Sequence, residues 1–488
     1  MLDILEKINS IVWGLPSVVL ILFVGIALSI RTGFAQLRLF PDAVRKLIHD
    51  LNGGSEEESV TPVQALCTAL AATAGTGNLV GVAGAIALGG PGSIFWMWIC
   101  GIFGMMIKFA EATLAVRYRV ERDGETVAGP MYMILGGLPV RWKPMAYVYA
   151  VLGLCASFGI GNATQINAVV TAAEQAAMYY GVPLSVSARL MLGVVLGVIV
   201  GLVLTGGAKR IGSTAELLVP LISASYLALC VLVLWRQRAA IPAVVASVFT
   251  GAFSPRAVTG GIVGSVFQTL RVGMSRGVFT NEAGLGTASM AHGGAAVYHP
   301  AQQGLMGILE VFLDTIVICT MTALVILSSG VPIGYGTDCG AVLTVQAFSA
   351  VCGDWIAVFL AVSLGLFAFA TILGWGLYGA RCAQFLFGSG RIRYLALAQA
   401  VMVVVGAVMK TEIIWSLSEV FNGLMAIPNL IALIGLGDRF CELSSEFEKK
   451  RGEKAAGGTY ENFNQCKSLP ALSHAEIPSL RTGSQETG

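Results

Sequence analysis

Four stretches place polar groups where their neighbours leave little water to satisfy them. "TAGTGN" (Thr73–Asn78) interrupts a charge-free run from Ala65 to Leu88 with two glycines and two hydroxyls. "RGVFTNEAGLGTA" (Arg276–Ala288), some two hundred residues later, is likewise glycine-rich, carries an Asn and sits in the middle of its run. "FGIGNATQIN" (Phe158–Asn167) and "FAFATILGW" (Phe367–Trp375) add amide, hydroxyl and indole groups. Gly75 and Gly77 each weaken a helix by about 1 kcal/mol relative to Ala. A break there frees N–H groups that suit a carboxylate and C=O groups that suit a cation. Gln165 both donates and accepts, so it can read both ends of a small zwitterion. Thr371 and Trp375 are four apart and share a helix face, a hydroxyl for a cation beside an indole wall. Glu282 is a carboxylate inside an apolar span, where it needs a partner or solvent. With Arg276 and Arg271 within reach along the helix, structural or gating use is expected of it.

Each of these residues also has a plainer reading. Glycines at Gly75 and Gly77 allow close helix packing, and Gln165 can bond a neighbouring helix. Trp375 can be core, and Glu282 can be half of an ion pair. Other polar residues read as ordinary. Lys108 and Glu111 form a helix-end pair at i, i+3. Glu310 and Asp314 face water near a helix end, and His292 and His299 are solvated. The chain shows no hydrolytic triad, metal-ligand cluster or G-x-x-x-x-G-K-[ST] loop. The chemistry expected is therefore binding and movement, not catalysis, with energy drawn from an ion gradient.

The elements that must position these groups are membrane helices. The 488 residues are 56% hydrophobic and 12% charged, with a mean hydropathy of +0.77. An ordinary soluble core cannot hide that much apolar surface. Uncharged runs such as Pro144–Ala173, Leu190–Ala208 and Leu217–Trp235 match a hydrocarbon layer of roughly 30 Å. The expected fold is an all-α polytopic membrane protein with about eleven transmembrane helices. The lipid bilayer is its first partner. A net charge of +2 without a basic domain argues against nucleic acid. Met1–Ser10 is not a basic leader, so the first helix is expected to be retained. The cysteines read as small core residues, with Cys339 and Cys352 the one pair that could share an outer loop.

Lysine and arginine alternate between loops. Arg31, Arg38, Arg45, Lys46, Arg117, Arg119, Arg122, Lys209, Arg210, Arg381, Arg391 and Arg393 mark one side. By the positive-inside rule that side is cytoplasmic, so the N-terminus is expected outside and the C-terminus inside. Arg236 and Arg238 fall against the rule. Residues 1–52 read as the first helix and a cytoplasmic amphipathic segment. Residues 60–235 and 255–437 read as two five-helix repeats, and 438–488 as a disordered cytoplasmic tail. An odd number of helices per repeat inverts the second relative to the first. Each repeat should then open with a broken helix, here 64–88 and 258–290. The matching positions of the two breaks favour a binding site over simple close packing.

These residues carry a resemblance. "TAGTGNLVGVAGAIALGGPGSIFWMW", "KFAEATLAVRYR", "AGPMYMI", "FGIGNATQIN", "GGAKRIG", "RGVFTNEAGLGTA", "FATILGW" and "NGLMAIPNLIAL" resemble the alanine or glycine:cation symporter family over roughly residues 10–440. The resemblance implies the amino acid–polyamine–cation superfamily fold, a leucine-transporter-type 5+5 inverted repeat preceded by one extra N-terminal helix. It implies Na⁺-coupled, in some members H⁺-coupled, uptake of alanine or glycine across the bacterial inner membrane. It assigns Thr76, Gly77, Asn78, Gln165, Phe279, Asn281, Gly284 and Trp375 to the substrate, with Trp375 limiting its size. It assigns Thr371 and the backbone carbonyl of Ala74 to sodium. Ala370 stands where the family usually has a second hydroxyl, and Ala380 where it has a carboxylate. No organic cofactor and no obligate protein partner are expected. A channel lined by the glycine-rich breaks, or an amino-acid sensor, would be the rivals. The two breaks differ in sequence and the tail shows no signalling domain, which argues against both.

Overall fold

In the computed structural model, which describes residues 7–9, 12–52, 60–122, 124–337, 340–353, 355–409 and 412–455, the apolar runs fold as helices. Among the described residues eight helices are long and apolar enough to cross a membrane, and a bent pair makes a ninth span. α1 (Leu15–Arg31) is a shorter apolar helix with Pro16 in its first turn. It is followed by the amphipathic α2 (Phe40–Asn52). The bent pair is α3 (Pro62–Thr73) and a second limb that runs through a π-helical turn, Gly77–Gly81, into α4 (Val82–Gly89). The limbs meet at 51°. Thr61 and Gln64 form a capping box that starts α3 cleanly.

α5 (Ser93–Arg117) leads into a short hairpin, β1 (Val120–Arg122) with β2 (Glu125–Val127). Then come α6 (Pro130–Gly137), α7 (Lys143–Phe158) and, after a second π-helical turn at Gly159–Ala163, α8 (Thr164–Tyr179). α9 (Val186–Leu204) and α10 (Gly207–Arg236) complete the first half. The short apolar α11 (Ile241–Phe253) packs on α5, where a Cβ on Gly92 would lie 2.1 Å from the Gly251 carbonyl carbon. Only glycine permits that backbone approach.

The second half opens with α12 (Val266–Asn281), which ends at Glu282 in the left-handed region (φ 53°). An irregular loop then leads to the single turn α13 (Ser289–His292). α14 (Pro300–Val311) continues through a third π-helical segment, Phe312–Cys319, into α15 (Thr320–Ser328). α16 (Gly340–Cys352), α17 (Ile356–Phe387), α18 (Ile392–Val408) and α19 (Glu412–Gly435) follow. α1 and the broken α12–α13 lie at the two other segments expected from the sequence, while eight to nine spans are long and apolar enough to cross a membrane among the described residues. Both expected breaks are present, near Ala74 and at Glu282.

One boundary differs from expectation. α20 (Gly437–Ala455) is a helix where an irregular tail was expected. It buries Phe440, Leu443 and Phe447 on one face. Ion pairs Arg31–Asp438, Arg38–Glu448 and Arg451–Asp42 tie it to the end of α1 and the segment that follows. Its polar composition masked that stripe. Residues 456–488 and Cys339 lie outside the described residues.

Candidate functional site

The two breaks face each other across a narrow cavity. From the first break Thr73, Gly75, Thr76 and Gly77 line it, and from the second Phe279 and Glu282. Gln165 comes from α8, and Thr371 and Trp375 from α17. The helix leaves regular geometry at Ala74 (ψ 77°) because Gly75 N turns back to the Thr73 carbonyl at 2.8 Å. Thr76 Oγ1 donates to Gln165 Oε1 at 3.4 Å, and Gln165 Nε2 donates to the Ile160 carbonyl at 3.0 Å. Gln165 is thus held by the π-helical turn beside it, as such turns often do at binding sites.

α17 supplies the floor. Thr371 Oγ1 lies 3.0 Å from the carbonyls of both Ala71 and Phe367, on opposite sides of the α3–α17 contact. A Cβ on Gly75 would fall 2.6 Å from that hydroxyl. A glycine is therefore required where the broken helix crosses α17. Trp375 is buried edge-on to Tyr378, with ring centroids 5.6 Å apart. Its Nε1 donates to Glu282 Oε1 at 3.1 Å. The other carboxylate oxygen of Glu282 accepts from Thr287 Oγ1 at 2.6 Å. Glu282 is the charged residue among those lining the cavity.

The structure gathers Thr76, Gly77, Gln165, Phe279, Glu282, Thr371 and Trp375 around one space. Other candidates stand behind its wall. Asn78 Nδ2 donates to Asp314 Oδ1 at 2.7 Å and to the Asp314 carbonyl at 3.2 Å. Its own amide oxygen accepts from Gly75 N at 3.3 Å, which braces the break. Asn281 Nδ2 donates to Thr315 Oγ1 at 3.2 Å, and Thr315 Oγ1 in turn donates to Asp314 Oδ2 at 3.0 Å. Asp314 therefore joins the two breaks from the third π-helical segment. Gly284 (φ 94°) packs toward Ile21 and Leu430, on the side of the loop facing α1 and α19. Ala74 follows α3, buried, with its N–H donating to the Leu70 carbonyl, and it stands outside the residues that line the cavity. Arg276 is half-buried on α12, while Glu282 takes its hydrogen bonds from Thr287 and Trp375.

The polar residues read as ordinary are instead buried and joined. Lys108 and Glu310 are 0% exposed and form an ion pair at 2.9 Å between α5 and α14. His292 Nε2 meets the other Glu310 oxygen at 2.9 Å, and Gln303 reaches His292 Nδ1 at 2.8 Å. Glu111 accepts from Gly284 N, Gly286 N and Asn429 Nδ2, at 3.0, 3.1 and 2.7 Å. His299 caps α14 through Ala301 N at 3.2 Å. The i, i+3 spacing of Lys108 and Glu111 was real, but their partners lie on other helices and in the loop after α12. A lysine buried with several carboxylates inside a bundle is not a surface pair.

Among the described residues no cluster of three His, Cys, Asp or Glu side chains could hold a metal ion. The oxygens that could hold a hard cation are the Thr371 hydroxyl and the Ala71 and Phe367 carbonyls 3.0 Å from it.

Residues 1–461 match the model of the sodium:alanine symporter family. The sodium/alanine symporter AgcS of Methanococcus maripaludis is 38% identical over 458 residues, covering 93% of this chain and 98% of AgcS. The probable sodium/glutamine symporter GlnT of Bacillus subtilis is 38% identical over 439 residues, covering 89% of this chain and 88% of GlnT. The crystal structure of MhsT in complex with L-phenylalanine aligns with a TM-score of 0.53 at 14% identity, over 80% of this chain and 100% of that one. That likeness concerns the fold, the leucine-transporter-type arrangement with two broken helices.

Proposed function

The chain belongs to the sodium:alanine symporter family, and from that premise we propose that it imports alanine and glycine with Na⁺ by alternating access. It is a multi-pass membrane transporter of the cation-coupled amino-acid symport class, not an enzyme. The observation that carries the finer reading is the cavity between the breaks, which Thr76, Gln165, Glu282 and Thr371 line together with Phe279 and Trp375. A zwitterion fits this chemistry. Its carboxylate takes the free N–H groups of the first break near Thr76 and Gly77, and Gln165 holds its polar groups. Its ammonium takes the Glu282 carboxylate, and its side chain meets Phe279 and Trp375.

Na⁺ sits on Thr371 Oγ1 and on the carbonyls of Ala71, Ala74 and Phe367. Ala370 adds no hydroxyl there, so backbone oxygens carry more of the coordination. Asn78 and Asn281 support the site by holding each break to Asp314, and Gly284 shapes the loop behind Glu282. Residues 60–235 and 255–437 form the two inverted repeats, which rock about the cavity. The arginine-rich loops face the cytoplasm, with the N-terminus outside and the C-terminus inside.

Buried carboxylates favour a second reading for the coupling ion. Glu282 faces the cavity and Asp314 lies directly behind Asn78, so either could take a proton. Purified protein in proteoliposomes separates the two. Alanine and glycine uptake should require Na⁺, weaken in Li⁺ and stop in choline, with serine and D-alanine as competitors. Uptake in choline driven by a pH gradient would shift the assignment to H⁺.

A further inference from the structure

The loop after α12 is held from behind by a carboxyl group that forms no ion pair. Glu111 of α5 and Asn429 of α19 are both 0% exposed. One oxygen of Glu111, Oε1, takes all three of its hydrogen bonds, from Gly284 N, Gly286 N and Asn429 Nδ2. The other, Oε2, is buried with no hydrogen-bond partner among the described residues, and so is Asn429 Oδ1. Turning the amide round does not relieve this. Nδ2 also donates to the Gly284 carbonyl at 2.9 Å, a group that only accepts. Two side chains joined at 2.7 Å through Nδ2 and Oε1 thus each keep a bare acceptor. A bare buried acceptor is costly, and more so when it carries charge.

The cations nearby are already engaged. Lys108, one turn back on α5, gives its ammonium to Glu310 Oε1 of α14 at 2.9 Å, and His292 of α13 meets Glu310 Oε2. Arg119, beyond the end of α5, donates to the Ala295 carbonyl. Arg31 of α1 and Asp438 of α20 pair with each other at exposed positions. The loop adds the Glu282 carboxylate, and the π-helical segment after α14 adds that of Asp314. α7 and α17 present the phenols of Tyr149, bonded to the Leu285 carbonyl at 3.0 Å, and of Tyr378. An ionised Glu111 would add one more negative charge to a neighbourhood richer in carboxylates than in cations. A buried water donating to both bare oxygens would fill the gap between them but leave that charge unpaired in the bundle.

We propose that Glu111 carries a resident proton on Oε2. The O–H supplies the donor that Asn429 Oδ1 lacks, and Oε1 keeps its three N–H bonds as a carbonyl oxygen. The neutral carboxyl pins the loop that begins at Glu282, the carboxylate facing the cavity. Loss of the proton puts charge on a bare buried oxygen beside a second acceptor and loosens that loop. Transport is therefore full while the proton is held and falls as the pH rises through its loss. This proton stays in place through the cycle and is distinct from the coupling ion. The kinetic half of the proposal rests on the amino-acid transport reading, and the proton itself does not.

The test has two readouts on the full chain in proteoliposomes. The infrared difference spectrum, wild type minus Glu111→Gln, should contain the carbonyl band of a neutral carboxyl that shifts in heavy water. KM for alanine is then followed from neutral to alkaline pH. Wild-type KM should climb by up to about tenfold per pH unit once the proton is lost. Glu111→Gln, with an N–H in place of the O–H, should match wild-type KM within about twofold at neutral pH and stay flat above it. The climb should persist in Glu282→Gln, which lacks the cavity carboxylate. No neutral-carboxyl band in the difference spectrum, or an equal climb in Glu111→Gln, would overturn the resident proton. A Glu111→Gln protein that fails to fold or transport would overturn it too, because the charge itself would then be required. The band in a wild type that moves no amino acid would uphold the proton and overturn the transport reading.

Discussion

Trp375 Nε1 donates to Glu282 Oε1 at 3.1 Å, so the floor of the cavity on α17 is fastened to the break in the second half of the chain. Wall and charge are therefore one unit. Glu282→Gln keeps an acceptor for the indole but removes the charge offered to an ammonium. KM for alanine should rise by about tenfold or more, while the detergent-solubilised protein melts close to wild type. A Glu282→Gln protein with unchanged KM would assign the carboxylate to bracing the loop alone.

Trp375→Leu tests the wall itself. It shortens the side chain that closes the cavity, and larger substrates such as glutamine should begin to compete with alanine. A pocket discriminates by only about 1–3 kcal/mol per methylene, so selectivity should fall by roughly ten- to a hundredfold and not vanish. Competition profiles with serine, glutamine and leucine provide the readout.

Thr371 bridges the Ala71 and Phe367 carbonyls at 3.0 Å each. Thr371→Ala should raise the Na⁺ concentration for half-maximal uptake and abolish the Na⁺-induced rise in melting temperature. Thr371→Ser should keep most of both. Equal Na⁺ responses in all three proteins would move the cation elsewhere.

Lys108 and Glu310 are paired with side chains 0% and 1% exposed. Lys108→Met leaves a buried carboxylate with His292 alone and should destabilise the fold by about 3–5 kcal/mol. The double variant Lys108→Met with Glu310→Leu should recover a large part of that loss. Thermal melts of the two singles and the double form the cycle.

His299 precedes α14, outside the spans. Burial lowers its pKa from 6.5 to about 4, against an opposing pull from Glu446. The unfolded chain takes a proton below about pH 6.5 that the fold refuses until about pH 4. Stability present above pH 6.5 is thus lost as the pH falls through that window. His299→Asn keeps a capping group and should flatten this part of the melting profile between pH 6.5 and 4.

The breaks were legible because glycines and a carboxylate interrupt runs that are otherwise apolar. Thr76, Gln165 and Trp375 were legible by type, since polar or indole groups in such helices have few uses. The partners of the remaining polar residues were not. Asn78 meets Asp314 across 236 positions of sequence, and nothing local in either stretch signals the other. Glu111 serves the loop at Gly284 and Gly286, though its nearest charged neighbour in sequence is Lys108. Helical spacing shows which side chains share a face and not which helix that face meets. The helix at Gly437–Ala455 was hidden for a different reason, because few apolar residues on a charged surface lower the average without erasing the stripe.

The most direct measurement is the steady-state alanine gradient in proteoliposomes with an imposed inward Na⁺ gradient and the pH gradient collapsed. Alanine should accumulate above its external concentration, the ratio should grow with the Na⁺ gradient, and Thr371→Ala should reduce it. Accumulation that ignores Na⁺, or alanine that only equilibrates, would contradict Na⁺-coupled symport through this cavity.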